Sequence, residues 1–204
     1  MTAIEIPVSI GLPPPKSPRS KGIHLSNVIR CIAQEQGILK PDWMEDLNLV
    51  DVREITDPVA LLKINIGLAW EEHYIPMLPE VEDHPKELEV AGLFMSPDGE
   101  STSVIITQGK AGLRTVVHEV KATYYSTRTI GNLSNAWMWL TQIKGYCKGL
   151  NTRFAMLHGL FLCGDYSMPI QPKLKCWQIE FTQEEIDENW DLIISYRDER
   201  LKSA

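Results

Sequence analysis

The sequence predicts an α/β (α+β) domain, a mixed central sheet with helices packed around it. Three observations carry this. Helical periodicity opens and closes the chain, whereas β-branched runs and period-two alternation fill its middle. The order of elements reads α, α, β, β, β, α, β, β, α, with no internal repeat. The composition, 44% hydrophobic and 23% charged over 204 residues, is that of a globular chain and excludes a disordered or collagen-like one.

Each element follows from local chemistry. Residues 1–22 hold Pro7, Pro13, Pro14, Pro15 and Pro18, which favours an extended proline-rich arm ahead of a single domain over 23–204. Leu25, Val28, Ile29 and Ile32 give one apolar helical face ending at Gly37, with Ser26 available as N-cap. A second helix opens at Asp57-Pro58, runs through Val59, Leu62, Ile66 and Trp70, and stops at Pro76. Glu80 to Glu87 is acidic and reads as a loop. Leu88, Val90, Gly92 and Phe94 alternate like a strand ending at Pro97-Asp98-Gly99. Ser103–Thr107 and Thr115–Thr123 are strands joined by the hairpin linker Gln108 to Gly112. Residues 135–148 read as a helix with Ser134 as N-cap and Gly149 as stop. Phe154–Cys163 and Lys175–Phe181 are strands. Thr182 and Glu185 form a capping box for a last helix reaching about Arg200.

Charge is unevenly spread. The chain carries 20 basic and 27 acidic residues, net −7, with a pI of about 5.3. Between Ser101 and Gly164, however, seven basic residues face a single acid, Glu119, a local balance of +6 against −13 elsewhere. Such asymmetry hints at a surface for a polyanion. Cys31, Cys147, Cys163 and Cys176 are spaced 116, 16 and 13 apart, with no C-x-x-C pair, so they read as buried thiols in a reducing cytoplasm. The N-terminus has no charged start followed by an apolar run, and no stretch approaches the ~20 apolar residues that span a bilayer.

Four features bear chemistry. Glu119 and Lys121 share one face of a strand whose neighbours Val116, Val117, Val120 and Ala122 mark it as buried. Charges there need a partner or a purpose. Asp98, in the turn ending a neighbouring strand, could approach Glu119, and two close carboxylates repel unless a cation lies between them. All-oxygen ligands suit Mg2+ or Mn2+, which can polarise a phosphoryl group and acidify a bound water while Lys121 orients the nucleophile or neutralises charge. On the flanking helices, Gly67 precedes Glu71 by four residues, with Glu72 a competing acid, and Gln142 and Tyr146 occupy one stripe.

The ordered set Pro97-Asp98 … Glu119-Val120-Lys121 resembles the PD-(D/E)xK nuclease superfamily. Gly67 with Glu71, and Gln142 with Tyr146, resemble the first and last motifs of its phage lambda exonuclease, YqaJ and RecB-like branch. The resemblance spans roughly residues 60–150. It implies a restriction-endonuclease-like core and a metal-dependent deoxyribonuclease, a phage-type exonuclease acting on linear duplex DNA in recombination or repair. It implies Asp98, Glu119 and the Val120 carbonyl as metal ligands, Glu71 assisting, Lys121 activating water, and Gln142 and Tyr146 steadying the site or the DNA. Implied partners are DNA and a single-strand annealing or recombination protein, with a homo-oligomer open and no membrane; the location is cytoplasmic, that of the host if phage-encoded. An iron–sulfur cluster is not expected, because the three later cysteines are too widely spread. Two other readings stay open: a structure-specific endonuclease, and a nuclease-fold DNA-binding or packaging module with little catalysis. An assembly or scaffold protein using the proline arm is disfavoured by the basic clustering.

Lys144 and Lys148, beside the Gln–Tyr stripe, are expected to contact phosphates. Trp137 and Trp139 are expected in the core rather than stacked on bases. His73, His84, His118 and His158 have no ligand spacing and are expected to be structural or on the surface, with His118 pointing away from Glu119. The acids that open the last helix compensate its dipole.

Overall fold

A computed structural model describes residues 20–39, 58–83, 85–107, 110–130 and 132–203. Most of the proline-rich arm, Asp57, His84 and Gln108-Gly109 lie outside them.

The chain runs β1 (Ile23–His24), α1 (Leu25–Glu35), α2 (Pro58–Tyr74), β2 (Val81–Asp83), β3 (Leu88–Val90), β4 (Leu93–Met95), β5 (Gly99–Thr107), β6 (Lys110–Thr123), α3 (Trp137–Gly149), β7 (Phe154–Phe161), β8 (Lys173–Glu180) and α4 (Gln183–Ser203). Short 3-10 turns cover Ile75–Met77 and Leu133–Asn135. The α+β class is as expected. Two mixed sheets are present, one of five strands in the order β2-β5-β6-β7-β8 and one of three in the order β1-β4-β3.

In the large sheet only β6 and β7 are parallel. A parallel pair needs a crossover, and α3 supplies it. Alternation then sorts the two faces of β6. Val117 faces α1, α3 and α4, in a core with Leu25, Val28, Ile32, Ile143, Leu157 and Ile193. Burying each such Leu or Ile contributes about 1.5–3 kcal/mol. Val120, one strand position out of phase, packs instead with Tyr74 and Ile75 at the end of α2.

Glycines allow α3 to dock closely. A Cβ on Gly145 would lie 2.6 Å from Leu25 Cδ2, so a side chain there would push α3 off α1. That docking sets where Gln142 and Tyr146 sit.

Several boundaries differ from expectation, each for a local reason. The strand expected from Leu88 to Phe94 is a tight hairpin, β3–β4, because Ala91 and Gly92 both adopt positive φ (51° and 76°). The acidic segment is not all loop: Val81–Asp83 forms the edge strand β2 against β5. Helix α1 begins at Leu25 with His24 as N-cap, so Ser26 lies inside it. Ser134 is not the N-cap of α3; it sits in the preceding 3-10 turn, where its N–H donates to Asn132 Oδ1. The Thr182–Glu185 capping box is present in both directions, at 2.8 and 3.1 Å.

Candidate active site

The β5–β6 hairpin builds the centre of the site. The β5 ladder ends where Gly99 pairs with His118, and β6 continues beyond it. The next outward-facing amide on that edge, Val120 N–H, donates to Asp98 Oδ2 at 2.7 Å. Asp98 is thus a carboxylate cap on an unfinished strand edge, which fixes it beside Glu119 and Lys121. The next residue, Gly99, lets β5 lie close against β2, since a Cβ there would lie 2.7 Å from Val81 Cγ1.

Glu119 is wholly buried, at 0% exposure, on the α3-facing side of β6 and level with Leu157 of β7. The Lys121 ammonium forms an ion pair with it. Apart from that ammonium at Oε1, no hydrogen-bond donor reaches the Glu119 carboxylate among the described residues, and Oε2 is left without one. Burial, then the nearby Asp98 charge, raises the Glu119 carboxyl above the ordinary carboxylate range; Lys121 only partly offsets this, and Glu71 raises it further. Burial would lower the Lys121 ammonium, but Glu119, Asp98 and Glu71 outweigh it and hold it firmly protonated. The two shifts have one cause: three carboxylates share one lysine, so the site is short of positive charge.

Glu71 therefore belongs to this constellation, brought in from α2. It is half-buried and acts on both Glu119 and Lys121, whereas its neighbour Glu72 is exposed. On α3, Gln142 Nε2 donates to Tyr146 Oη at 2.7 Å, so the two do share a stripe, and Tyr146 is only 4% exposed.

The donor set suits a hard divalent cation. It offers carboxylate oxygens, one of them orphaned and buried, and a strand carbonyl at Val120, with no soft ligand. Among the described residues no group of three His, Cys, Asp or Glu is placed to hold a metal ion, so protein side chains alone do not complete a site here. A Mg2+-like ion would complete its shell with water and substrate oxygens.

Lys144 and Lys148 are elsewhere. Two residues along a helix is a rotation of about 200°, so they cannot flank the 142–146 stripe. Lys148 pairs with Asp187 of α4 at 2.7 Å, and Lys144 Nζ sits 5.4 Å from the Phe181 ring centre. Two further basic residues of the segment meet acids outside it: Arg128 lies 3.9 Å from Asp165, and Arg153 pairs with Glu180 at 3.1 Å. Part of the +6 balance is thus offset by acids from elsewhere in the chain. Trp137 and Trp139 pack against the main core, as expected.

The histidines hold a surprise. His118 does point away from Glu119, but it joins a buried polar chain behind β6. Tyr74 Oη is 3.2 Å from His158 Nδ1, His158 Nε2 is 3.2 Å from His118 Nδ1, and His118 Nε2 is 2.9 Å from Ser101 Oγ. Ser101 continues to Ser103 at 3.1 Å. Burial lowers both imidazoles to about 4, with the neighbouring His158 adding to the effect on His118, so both are neutral near pH 7. A neutral ring donates once and accepts once, so the donors run in a single direction along the whole chain. Sequence spacing could not reveal this, because it depends on the register of β6 against β7. The visible signal was a histidine inside each of two apolar strands.

No protein-family model and no curated protein matches the chain. Solved structures do. An alkaline exonuclease from Laribacter hongkongensis superposes with a TM-score of 0.53 at 16% identity, covering 90% of this chain and 89% of that one. The same enzyme in complex with dAMP gives 0.55 at 17% identity, with the same coverage. A phage-related exonuclease from Haemophilus somnus 129PT gives 0.50 at 12% identity, covering 89% and 96%. The chain has the fold of these exonucleases over nearly its whole length.

Proposed function

We propose that this chain is a metal-dependent deoxyribonuclease of PD-(D/E)xK type, an exonuclease that hydrolyses phosphodiester bonds of linear duplex DNA in phage-type recombination or repair. The observation that carries this reading is the convergence of Asp98, Glu119 and Glu71 on Lys121, with Glu119 wholly buried and its Oε2 reached by no donor among the described residues. Burying a carboxylate with one ion-pair partner and an empty oxygen is costly, and a scaffold or simple binding module gains nothing from it. The fold shared with two exonucleases, one of them solved with dAMP, supports the same reading.

Asp98, Glu119 and the Val120 carbonyl would hold Mg2+ or Mn2+, with Glu71 assisting directly or through water. The ion supplies Lewis-acid polarisation of the scissile phosphate and a more acidic attacking water. The remaining work belongs to the chain. Lys121, held protonated, orients that water and offsets charge developing on the phosphate. Gln142 and Tyr146, already locked to each other, present an amide and a phenol to the site or the DNA backbone. Asp98, fixed by the Val120 amide, keeps its carboxylate from turning away.

The test is DNA degradation with Mg2+, Mn2+ or EDTA on linear duplex, circular and single-stranded substrates, beside Glu119→Ala and Lys121→Ala. Metal-dependent loss of linear duplex alone, abolished in both variants, supports the proposal. Nicking of circles indicates an endonuclease. Metal-independent binding without cleavage indicates a nuclease-fold binding module. Equal degradation by all three proteins would sink the assigned site.

A further inference from the structure

We propose that the buried chain Tyr74–His158–His118–Ser101 is a positioning device that holds the three carboxylate-bearing elements together from behind the sheet. Each acid has a member of this chain close to it in sequence. Glu71 lies one helical turn before Tyr74 on α2, Asp98 lies three residues before Ser101 on β5, and Glu119 follows His118 on β6. His158 on β7 is the keystone, bonded to Tyr74 on one side and to His118 on the other. Glu119 and Lys121 lie in front of β6, Asp98 caps its edge at the Val120 amide, and the polar chain lies behind it.

The need for such a device is electrostatic. Asp98 and Glu71 both act on Glu119 as like charges, so the front of the site pushes its own elements apart. Helix α2 is the element least able to resist. Of its seventeen residues only Leu61 and Tyr74 are buried, and Val59, Leu62 and Leu68 are exposed. Its hold on the sheet near Glu71 runs through Tyr74, which stacks on Trp70 at 4.6 Å and bonds His158. The two imidazoles lie parallel, 5.4 Å apart and 12° from coplanar, so the chain is packed as well as bonded. Apolar contact alone would let α2 slide along the sheet, whereas a directional bond sets the position of Glu71 along β6 and β7.

This inference rests on the nuclease reading only for the identity of the cation that the acids hold. Tyr74→Phe and Ser101→Ala each remove one oxygen from an end of the chain, and Ser101→Thr restores a hydroxyl. Mn2+ affinity is measured by calorimetry on DNA-free protein, and amide hydrogen exchange is followed at Val120, which donates to Asp98, and at residues 70–74 of α2. We expect Mn2+ affinity to fall about threefold to tenfold in each deletion, the scale of one buried hydrogen bond, and to recover in Ser101→Thr. Exchange should quicken at Val120 in Ser101→Ala and along 70–74 in Tyr74→Phe, with far-UV circular dichroism unchanged. Unaltered Mn2+ affinity and unaltered exchange in both folded deletions would overturn the proposal. Should Ser101→Ala not fold, Tyr74→Phe at the other end decides alone. A wild type that binds Mn2+ but cuts no DNA overturns the nuclease reading and leaves these outcomes intact; one that binds no Mn2+ is judged on exchange.

Discussion

The two faces of β6 solve opposite problems with neighbouring residues. On the front, Glu119 is buried with the Lys121 ammonium as its ion-pair partner and no donor at its second oxygen among the described residues. On the back, His118 is buried and neutral, with a hydrogen bond at each ring nitrogen. The front stores unfavourable electrostatics and the back stores satisfied hydrogen bonds. One strand can carry both because its side chains alternate. The lesson is that a reactive face is tolerated where its reverse is well tied.

The comparison breaks most visibly at the front. Glu119→Gln or Lys121→Ala should lower cleavage of linear duplex by at least about 10²-fold to 10³-fold, the range for removing a single preorganised electrostatic group. Glu119→Gln should also make the metal-free protein more stable at pH 8. The sign follows from linkage. The Glu119 carboxyl is raised in the folded state, so its contribution is fully present below the ordinary carboxylate range and is lost as pH rises through the folded value. Removing the charge removes that loss, and a thermal midpoint no higher than wild type would contradict it.

At the back the effects fall on stability. His158→Leu strands His118 and Tyr74, and each buried polar group left unsatisfied costs about 1–3 kcal/mol. A chain of this size should then lose about 2–4 °C of thermal midpoint per kcal/mol. Unchanged melting would mean that the polar chain contributes nothing.

A gentler perturbation is pH. His118 and His158 are depressed to about 4 from 6.5, so the stability they confer is present above about 6.5 and declines as pH falls through about 4. The urea midpoint should fall between pH 6.5 and 4 in the wild type, and less in a His118→Gln, His158→Gln double variant. Parallel pH profiles for the two proteins would remove the histidines as the cause.

The smallest expected effect separates α3's two sides. Lys148→Ala should leave the salt dependence of DNA binding almost unchanged, well under the slope of about 0.9 that one phosphate contact gives, because Asp187 already holds that ammonium. Gln142→Ala, on the other side, should lower activity.

Much of this was legible in the sequence, for identifiable reasons. The long hairpin, the helices and the capping box rest on short-range rules and are present, although β5 and β6 extend beyond Ser103–Thr107 and Thr115–Thr123 and Ser26 and Ser134 are not the caps. The acids Asp98 and Glu119 could be placed together because one hairpin joins them. Glu71 over Glu72 rested on spacing to Gly67, and the structure brings in the half-buried one. Charge read by segment leaves out partners across the fold. Lys148, Arg128 and Arg153 find Asp187, Asp165 and Glu180 across the fold, and linear bookkeeping cannot see partners that only tertiary packing supplies. The His118–His158 pairing was out of reach for the same reason, since it depends on the parallel register of β6 and β7. The β3–β4 hairpin was missed because Ala91, a residue that rarely adopts positive φ, occupies its turn.

The β5–β6 hairpin outruns the sheet that holds it. Pairing of β6 with β7 starts at Val116, so residues 110–115 are laddered to β5 alone, with Val104 and Leu113 exposed directly across from each other. Mechanically this is a cantilever: its root bears Asp98 and Glu119, Ile105 is anchored against Val116 and Phe154, and Val104 and Leu113 beside it face solvent. Length and sequence at the tip are therefore free to drift, and a tag, label or inserted peptide placed there should leave the root, and with it the chemistry, where it is.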